Sequence, residues 1–483
     1  MSCCVDVHFW RQSVVLMAVG FYAMSTGFVL SFPSVLNPVL LSPTSTIKVT
    51  NDQASWITSF YGIGGVFGFL TVPGIMQKYG RKVAQTAMNI SLIIGFIMLI
   101  IAKDVGTLYA ARCIQGIALS GVILAPIILA EYTHPKRRGY FITLKNAALA
   151  TGCLLCHTLV LICTWQEIAG ISIALNVVSI LLTFLWPESP AYYAMVGRYD
   201  ECDKSFIYLN GDTPKARKML KDLVLAQTER REKEETDRNI QKFLVIIKKF
   251  VRKDFLKPFF NVTLLTIIID SGGRYYNLAY IVQIITEITG NNSVAIYCSI
   301  GLDFLTVVAC CTSSYIIRKL PRRSLLFSFG YTSVALMLSI SVIVFLKSYT
   351  STNFNVPWLT PTIILLNSFI FTLGVIPVYS TVSGELFPLE HRGSGSMASG
   401  IIFTLLYAIT MKCTPIMMDK TGIAGTYGIY GLCVAICLVI LQFILTETKD
   451  KTLQEIEDEI KGIERNKTAG LQDRETFTII QKC

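Results

Sequence analysis

Twelve long apolar runs, separated by shorter polar stretches, dominate the chain. Each has about the length that an α-helix needs to cross a bilayer, which is roughly 20 residues. The pattern therefore predicts an all-α membrane protein with twelve transmembrane helices. The first six runs lie near residues 12–33, 55–76, 83–102, 108–131, 140–163 and 169–186, and the second six near 258–286, 294–317, 325–346, 358–382, 394–418 and 426–445.

A charged stretch divides the runs into two sets of six. We expect an N-terminal bundle, a cytoplasmic charged linker with helical segments, a C-terminal bundle and a cytoplasmic polar tail, over 1–186, 187–257, 258–446 and 447–483. Within the linker, the sequence ERREKEETDR at 229–238 is typical of a solvated helix.

Three short motifs recur in the same order in the two halves. Glu131 precedes Arg138 by seven residues and Glu385 precedes Arg392 by seven, and each arginine is followed by glycine. The segment 79–82 likewise pairs with 320–323, and 187–190 pairs with 446–449. The offsets of 241–259 residues indicate an internal duplication of a six-helix unit, which is one way in which transporters are built.

Composition agrees with a membrane protein and argues against other classes. The chain has 483 residues, of which 52% are hydrophobic and 16% charged, whereas soluble chains carry about a quarter charged residues. The net charge of +11 is spread between apolar runs rather than gathered in one patch, so it does not indicate a nucleic-acid partner. The predicted partners are a small solute and the lipid bilayer.

Nothing in the sequence indicates a metal, a cofactor or an enzyme. Most of the 14 cysteines lie inside apolar runs, where a free cysteine behaves as a small hydrophobic residue. The glycine-rich stretch 62–68 lacks the Lys-Ser/Thr of a nucleotide-binding loop and lies in a predicted span.

The charge of the short loops predicts the orientation in the membrane. Cytoplasmic loops carry an excess of Lys and Arg, and such loops alternate along the chain around residues 78–82, 136–138, 318–323 and 392. Both termini and the linker are then cytoplasmic, and we expect the plasma membrane as the location. Asn291 begins the sequon Asn291-Asn292-Ser293 on the opposite side and is the predicted glycosylation site.

The carboxylates and arginines near the basic loops form a candidate cytoplasmic gate. Ion pairs there could hold the two halves together, and breaking them would open that side. The alternative is that the cations only set the topology. The candidate gate residues are Arg81, Arg112, Glu131, Arg138, Arg322, Arg323, Glu385 and Arg392.

Over about residues 10–460 the chain resembles the sugar porters of the major facilitator superfamily, and within them the insect facilitated trehalose transporter-like group. The matching segments are Ser55-Trp56, 79–82, Arg112 to Gly116, Pro126, Glu131 with 135–139, 187–190, Glu385 with Pro388 and 392–393, and 447–453. The resemblance implies two six-helix bundles, a central solute site, and facilitated movement of a hexose or trehalose by alternating access. Gln77 and Arg318 replace the loop acids of the family pattern, which weakens the expected gate.

The family's amide-rich sugar site is largely replaced here. Of the positions that the resemblance assigns to sugar hydroxyls, only Asn146 keeps an amide, and Ser271-Gly272 keeps the centre of the seventh-helix motif. Charged residues stand nearby instead. The predicted substrate-binding set is Lys145, Asn146, Asp270, Ser271, Arg274, Asn277, Thr306, Tyr379 and Ser380.

Asp270 and Arg274 are four residues apart, so on one helix they would share a face and pair. Ionised groups in a span usually face a cavity or each other. Three interpretations therefore stay open: a sugar carrier, a carrier of a charged solute, and a receptor that lost transport.

We interpret His157 as a packed, hydrogen-bonded histidine. Proton coupling is not favoured, because residues 12–33 contain no acid.

Overall fold

A computed structural model of the chain describes residues 3–43, 45–133, 137–214, 216–221, 223–225, 253–349, 358–386 and 392–447. The helices that it gives are α1 (Cys3–Leu40), α2 (Asn51–Tyr79), α3 (Arg81–Ile101), α4 (Val105–Gly116), α5 (Gly121–Tyr132), α6 (Arg138–Leu159), α7 (Trp165–Phe184), α8 (Pro190–Val196), α9 (Tyr199–Asn210), α10 (Lys253–Ser271), α11 (Tyr276–Thr289), α12 (Asn292–Lys319), α13 (Arg322–Tyr349), α14 (Leu359–Glu385) and α15 (Arg392–Ile444). A 3₁₀ turn, Ile117–Ser120, joins α4 to α5.

The twelve predicted spans coincide with these helices. Eleven helical stretches in the described ranges are long and apolar enough to cross a membrane, and the last of them has 51 residues. At 1.5 Å per residue it would be about 75 Å long, more than twice the thickness of a bilayer core. It breaks at Gly422, where φ is 68°, and so supplies two crossings. The predicted all-helical fold with twelve spans is confirmed.

The first helix is longer than its apolar run suggested. The first apolar run ends near residue 33, but α1 continues to Leu40 through Pro33 and Pro38. Val35, Leu36 and Leu40 are buried, so packing extends the helix beyond the span. The polar connection is therefore limited to 41–50.

Glycines bring neighbouring helices into close contact within the first half. A Cβ on Gly64 of α2 would lie 1.9 Å from the Cys113 carbonyl oxygen of α4, and one on Gly152 of α6 would lie 2.0 Å from the Met24 carbonyl oxygen of α1. Helices in lipid gain little from burying apolar surface, so small residues that allow backbone contact stabilise their association.

In the described ranges, the two halves pack mainly through three helix pairs: α2 on α15, α6 on α12, and α1 on α11. At the first of these, a Cβ on Gly62 would lie 2.8 Å from the Thr404 carbonyl oxygen, and one on Gly400 would lie 2.3 Å from the Phe69 ring. The halves therefore meet backbone to backbone along α2 and α15.

Candidate functional site

The seventh span is broken where it passes between the halves. Helix α10 ends at Ser271 and α11 begins at Tyr276, with a turn between them. Gly273 in this turn has φ of 97°, and a Cβ there would lie 2.6 Å from Asn277 Nδ2. Glycine tolerates such a backbone conformation, which other residues adopt only with strain. Broken helices of this kind commonly form solute sites near the middle of the membrane.

The break overturns the predicted pair between Asp270 and Arg274. That prediction assumed a continuous helix, but the turn lies between the two residues and removes the shared face. Asp270 is 2% exposed, and within the described part of the chain neither of its carboxylate oxygens has a hydrogen-bond partner. Asp270 is thus an unpaired acid beside the break.

Aromatic rings surround the same break. The Tyr275 ring lies 5.7 Å from Phe403 and 5.4 Å from Tyr407, measured between centroids. Tyr407 in turn contacts Tyr61 of α2 at 5.8 Å. Because Tyr61 belongs to the first half and the other rings to the second, the aromatic cluster spans the boundary between them.

Two cations from opposite halves lie within electrostatic range of each other at the predicted site. Lys145 on α6 is 4% exposed, and its Nζ donates to Asn146 Oδ1 at 3.2 Å. It lies within electrostatic range of Arg274, which precedes α11 in the other half. No carboxylate in the described ranges pairs with either cation. The structure thus places Lys145 beside Asn146 and within electrostatic range of Arg274, and their role in binding stays a prediction.

The remaining predicted binding residues bond within the protein or lie near other predicted site residues, although Asn277 Nδ2 has no partner among the described residues. Ser271 donates to Cys433 Sγ at 3.8 Å, and Asn277 Oδ1 accepts from Tyr427 at 3.0 Å. The Thr306 hydroxyl donates to the Leu302 carbonyl of its own helix, and Ser380 does the same to Pro377. Tyr379 is half-buried on α14, within electrostatic range of Asp270.

An ion pair between a buried arginine and a partly buried glutamate forms near the predicted basic loops. Arg81 donates through Nε and Nη2 to the two carboxylate oxygens of Glu131, both at 2.7 Å, and Ser189 Oγ donates to Glu131 at 2.5 Å. We call the end of the helix bundle at which this pair lies the Arg81 end. The pair joins α3 to α5, which belong to the same half. It does not tie the two halves together in the way that the sequence interpretation had expected.

In each half, a glutamate accepts hydrogen bonds from the N-terminal N–H groups of a helix. Glu188 accepts from the backbone N–H groups of Arg81 at 2.9 Å and Lys82 at 3.2 Å. Glu447 accepts from the backbone N–H groups of Arg322 at 3.2 Å and Arg323 at 2.9 Å. Each acid thus satisfies the first free N–H groups of a helix, where an anion is favoured. The sequence had paired these motifs as a duplication without giving either glutamate a role.

Arg112 was wrongly placed in the candidate gate. It precedes Glu131 by 19 residues on one span, which corresponds to about 28 Å at 1.5 Å per residue. There it is 1% exposed and donates to the carbonyl oxygens of Ile57 and Val29 at 3.3 Å and to Gln115 Oε1 at 2.8 Å. The side chains of Arg138, Glu385 and Arg392 lie outside the described part, so their gate role stays a prediction.

At the opposite end, an ion pair that sequence reasoning missed joins the two halves. Lys412 of α15 donates to Asp52 Oδ1 at 2.6 Å and to Ser55 Oγ at 2.9 Å on α2. Its Nζ also lies 4.5 Å from the centre of the Trp56 ring. We call this end the Lys412 end. In the sequence, Asp52 precedes the second apolar run and Lys412 lies inside a later one, so no local signal linked them.

The predicted glycosylation site lies at the Lys412 end. Asn291 is exposed and precedes α12, and its Oδ1 accepts from the backbone N–H groups of Ser293 at 2.9 Å and Val294 at 3.4 Å. This helix-capping role uses the amide oxygen and leaves the amide nitrogen to solvent. Glycosylation itself stays a prediction.

Comparison with known proteins agrees with the membrane architecture. A family model described as sugar (and other) transporter matches residues 13–460. The chain is 25% identical over 467 residues to the facilitated trehalose transporter Tret1 of Drosophila erecta, covering 94% of this chain and 52% of that protein. It is 24% identical over 450 residues to the Tret1 of Bombyx mori, covering 93% and 86%. The chain thus spans about half the length of the Drosophila relatives that it matches.

Solved structures show the same fold. The major facilitator superfamily proton:xylose symporter XylE bound to 6-bromo-6-deoxy-D-glucose superposes with a TM-score of 0.72 at 17% identity, covering 94% of this chain and 99% of that one. A partially occluded, inward-open form of the xylose transporter XylE from E. coli gives 0.72 at 16% identity, covering 92% and 100%.

Proposed function

Because this chain belongs to the family of sugar (and other) transporters, we propose that it moves a sugar, a hexose or trehalose, across the plasma membrane by facilitated diffusion with alternating access. The Arg81 end and both termini face the cytoplasm, and the Lys412 end with Asn291 faces outward. The two halves rock about a central site, as in the superfamily whose fold the chain shares.

The break in the seventh span is the observation that carries this proposal. It places the turn 272–275 between the halves, with the Tyr275 ring against Tyr407 and Arg274 within electrostatic range of Lys145. Beside the turn, Asn277 Nδ2 has no hydrogen-bond partner among the described residues. Sugars present both hydroxyl groups, which need hydrogen-bond partners, and C–H faces, which pack on aromatic rings. The break and the cluster of tyrosines around it supply both kinds of contact.

The contacts at the two ends suit a carrier closed to the outside. Lys412–Asp52 crosses between halves at the Lys412 end, whereas Arg81–Glu131 lies within one half at the other end. Opening outward therefore has to separate Lys412 from Asp52. The same movement can leave the Arg81–Glu131 pair intact, because both residues belong to one half.

A second candidate substrate class follows from Lys145 and Arg274. Two cations near each other with no carboxylate partner in the described ranges favour a solute that carries a negative charge. An organic anion or a sugar that bears an acidic group would neutralise them on binding.

Transport assays in oocytes that express the full chain separate these functions. Uptake of labelled trehalose, glucose and a panel of organic anions and cations would be measured against water-injected cells. Saturable sugar uptake supports the proposal, and uptake of anions alone supports the second candidate. Binding of sugar at the cell surface without uptake would contradict transport and favour a receptor.

A matched pair of variants tests the site. Asn146→Ala removes the amide at the centre and is expected to reduce sugar uptake at least tenfold. Asn210→Ala, at the end of α9 outside the spans, should leave uptake unchanged at equal surface expression. Equal uptake by both variants would remove Asn146 from the sugar site.

A further inference from the structure

A histidine and an aspartate from opposite halves meet in the interior near the Lys412 end. His157 lies two residues before the end of α6, and Asp303 lies on α12. His157 Nδ1 is 2.5 Å from Asp303 Oδ2, and the two side chains are 2% and 0% exposed. The pair therefore joins the halves through a buried hydrogen bond between two titratable groups.

The other ring nitrogen of His157 fixes how many protons the pair holds. His157 Nε2 lies 2.5 Å from Ser34 Oγ. The Ser34 hydroxyl has one hydrogen and donates it to the Ser31 carbonyl at 2.7 Å, as serines in helices often do. With that hydrogen used, we assign Nε2 as the donor to Ser34. A second proton lies in the short contact between Nδ1 and Oδ2, whichever atom carries it.

This arrangement holds one proton more than the separated groups would in water. At neutral pH a free imidazole carries mainly one N–H and a free carboxylate carries no proton. When the Lys412 end opens and α6 moves away from α12, the shared proton loses its second partner. Closing that end again takes the proton back.

A cavity connects the pair to that end of the bundle. It has a volume of about 150 Å³ and is lined by residues that include Ser34, His157, Asn292 and Ser299. A cavity of this size, with polar groups on its wall, is large enough to hold water. Water there would provide a route for the proton between the pair and the outer solution.

The groups that face the pair introduce no competing acid. Cys153 and Cys156 on α6 lie within electrostatic range of Asp303, and Cys153 also lies within that range of Cys310 on α12 and of Arg274. Helix α1 contributes the hydroxyls of Ser31 and Ser34. The second oxygen of Asp303 has no hydrogen-bond partner among the described residues, so His157 is the group that holds this carboxylate.

We propose that His157 and Asp303 form a proton-binding site that fills when the outer side of the carrier closes. The site takes one proton from the outer solution per closure, with no bond broken other than that between the proton and water. It rests on the alternating-access part of the proposed function. Because the closed form binds the additional proton, acid favours the closed form and alkali favours the outward-open form.

A distance measurement tests this without relying on transport. Spin labels would be attached through a ketone-bearing amino acid at Ile162 and Tyr297, which are 82% and 66% exposed and lie at the Lys412 end of the two halves. This leaves the native cysteines unchanged. Electron–electron distance distributions of the purified full chain would be recorded between pH 6 and pH 8.

The expected result is a shift from longer to shorter distances as the pH falls, with the ratio of the two populations changing by up to about tenfold per pH unit for one proton. Asp303→Asn and His157→Gln should each abolish the pH dependence. Glu287→Gln, an exposed acid on α11 outside the pair, should keep it.

The wild-type titration decides the proposal even if the variants fail to fold. Two populations whose ratio ignores pH, or a larger open population in acid, would overturn the proton site and leave alternating access standing. A single distance at every pH and with saturating sugar would overturn alternating access as well.

Discussion

At the scale of single residues, the Arg81–Glu131 pair shows what a local motif can predict. The sequence placed an acid at a helix end near basic loops, and the structure makes that acid the bidentate partner of Arg81. Spacing along the chain did not say whether the pair lies within one half or between halves. That depends on how α3 packs beside α5, which no short motif encodes.

Glu131→Gln should destabilise the protein, because it leaves a buried guanidinium without its anion. The expected loss is about 1–3 kcal/mol, the cost of an unsatisfied buried group. Thermal unfolding of the chain in detergent, followed by loss of monodisperse protein, would measure it. Glu201→Gln, which breaks an exposed pair with Arg198, serves as the control and should change little. Equal melting temperatures for all three proteins would contradict the buried pair.

Two predictions about single residues were wrong. One assumed an unbroken helix, and the other assumed that all the charged motif residues form one cluster. Asp270 and Arg274 were expected to pair at helical spacing, and the turn at Gly273 separates them. Arg112 was assigned to the basic end from its motif alone, although counting 19 residues to Glu131 would have placed it near the other end. The second error was avoidable from sequence, and the first was not.

At the scale of elements, the internal duplication is clearest in two helix caps: Glu188 caps α3 and Glu447 caps α13. Glu188→Gln and Glu447→Gln should each lower the stability by about 1 kcal/mol, since each removes an anion from a helix N-terminus. The double variant should lose about the sum, because the two sites lie in different halves. Chemical or thermal unfolding of the four proteins would check this. A large loss from one variant and none from the other would contradict equivalent roles.

The break at 272–275 gives a prediction about one glycine. Gly273→Ala places a Cβ 2.6 Å from Asn277 Nδ2 at a φ of 97°, so it should reduce both stability and sugar uptake. Gly290→Ala is a matched control, because its φ is 70° but no heavy atom lies within 4 Å of the added Cβ. Both variants incur backbone strain of about 1–2 kcal/mol, and only the first adds a clash. Equal uptake by the two variants would show that the shape of the break is unimportant.

Hydropathy predicted the number and order of the helices but not where they break. The apolar runs follow from the lipid environment, which requires about 20 apolar residues per span. The turn after Ser271 and the bend at Gly422 depend on glycines that sit inside otherwise helical patterns. Sequence pattern alone does not distinguish such glycines from those used for close packing, such as Gly64.

At the scale of the whole molecule, the contacts that join the two halves were the least accessible to sequence reasoning. Lys412 and Asp52 are 360 residues apart, and His157 and Asp303 are 146 apart. Asp303 and Lys412 lie inside apolar runs, and their partners come from the other half. Only the packing of α2 on α15 and of α6 on α12 brings them together.

The Lys412–Asp52 contact also predicts a shift in the balance of the carrier. Asp52→Asn removes the charge partner of Lys412 and should favour the outward-open form without preventing folding. Exposed pairs contribute about 1 kcal/mol or less, which corresponds to a change of up to about fivefold in the ratio of the two forms. The labels at 162 and 297 would report it as more of the longer distance. A shift toward the shorter distance would contradict an outer contact.

The most direct test of alternating access between two rocking halves is exchange of labelled sugar through a carrier whose outer ends can be locked. Cysteines at positions 52 and 412 would be joined by a short bifunctional thiol reagent that a reductant cleaves, with the unsubstituted chain treated in the same way. If the halves rock, exchange of trehalose or glucose should stop in the cross-linked protein and return after cleavage, while the unsubstituted chain is unaffected. Undiminished exchange through a fully cross-linked carrier would contradict the rocking of the halves.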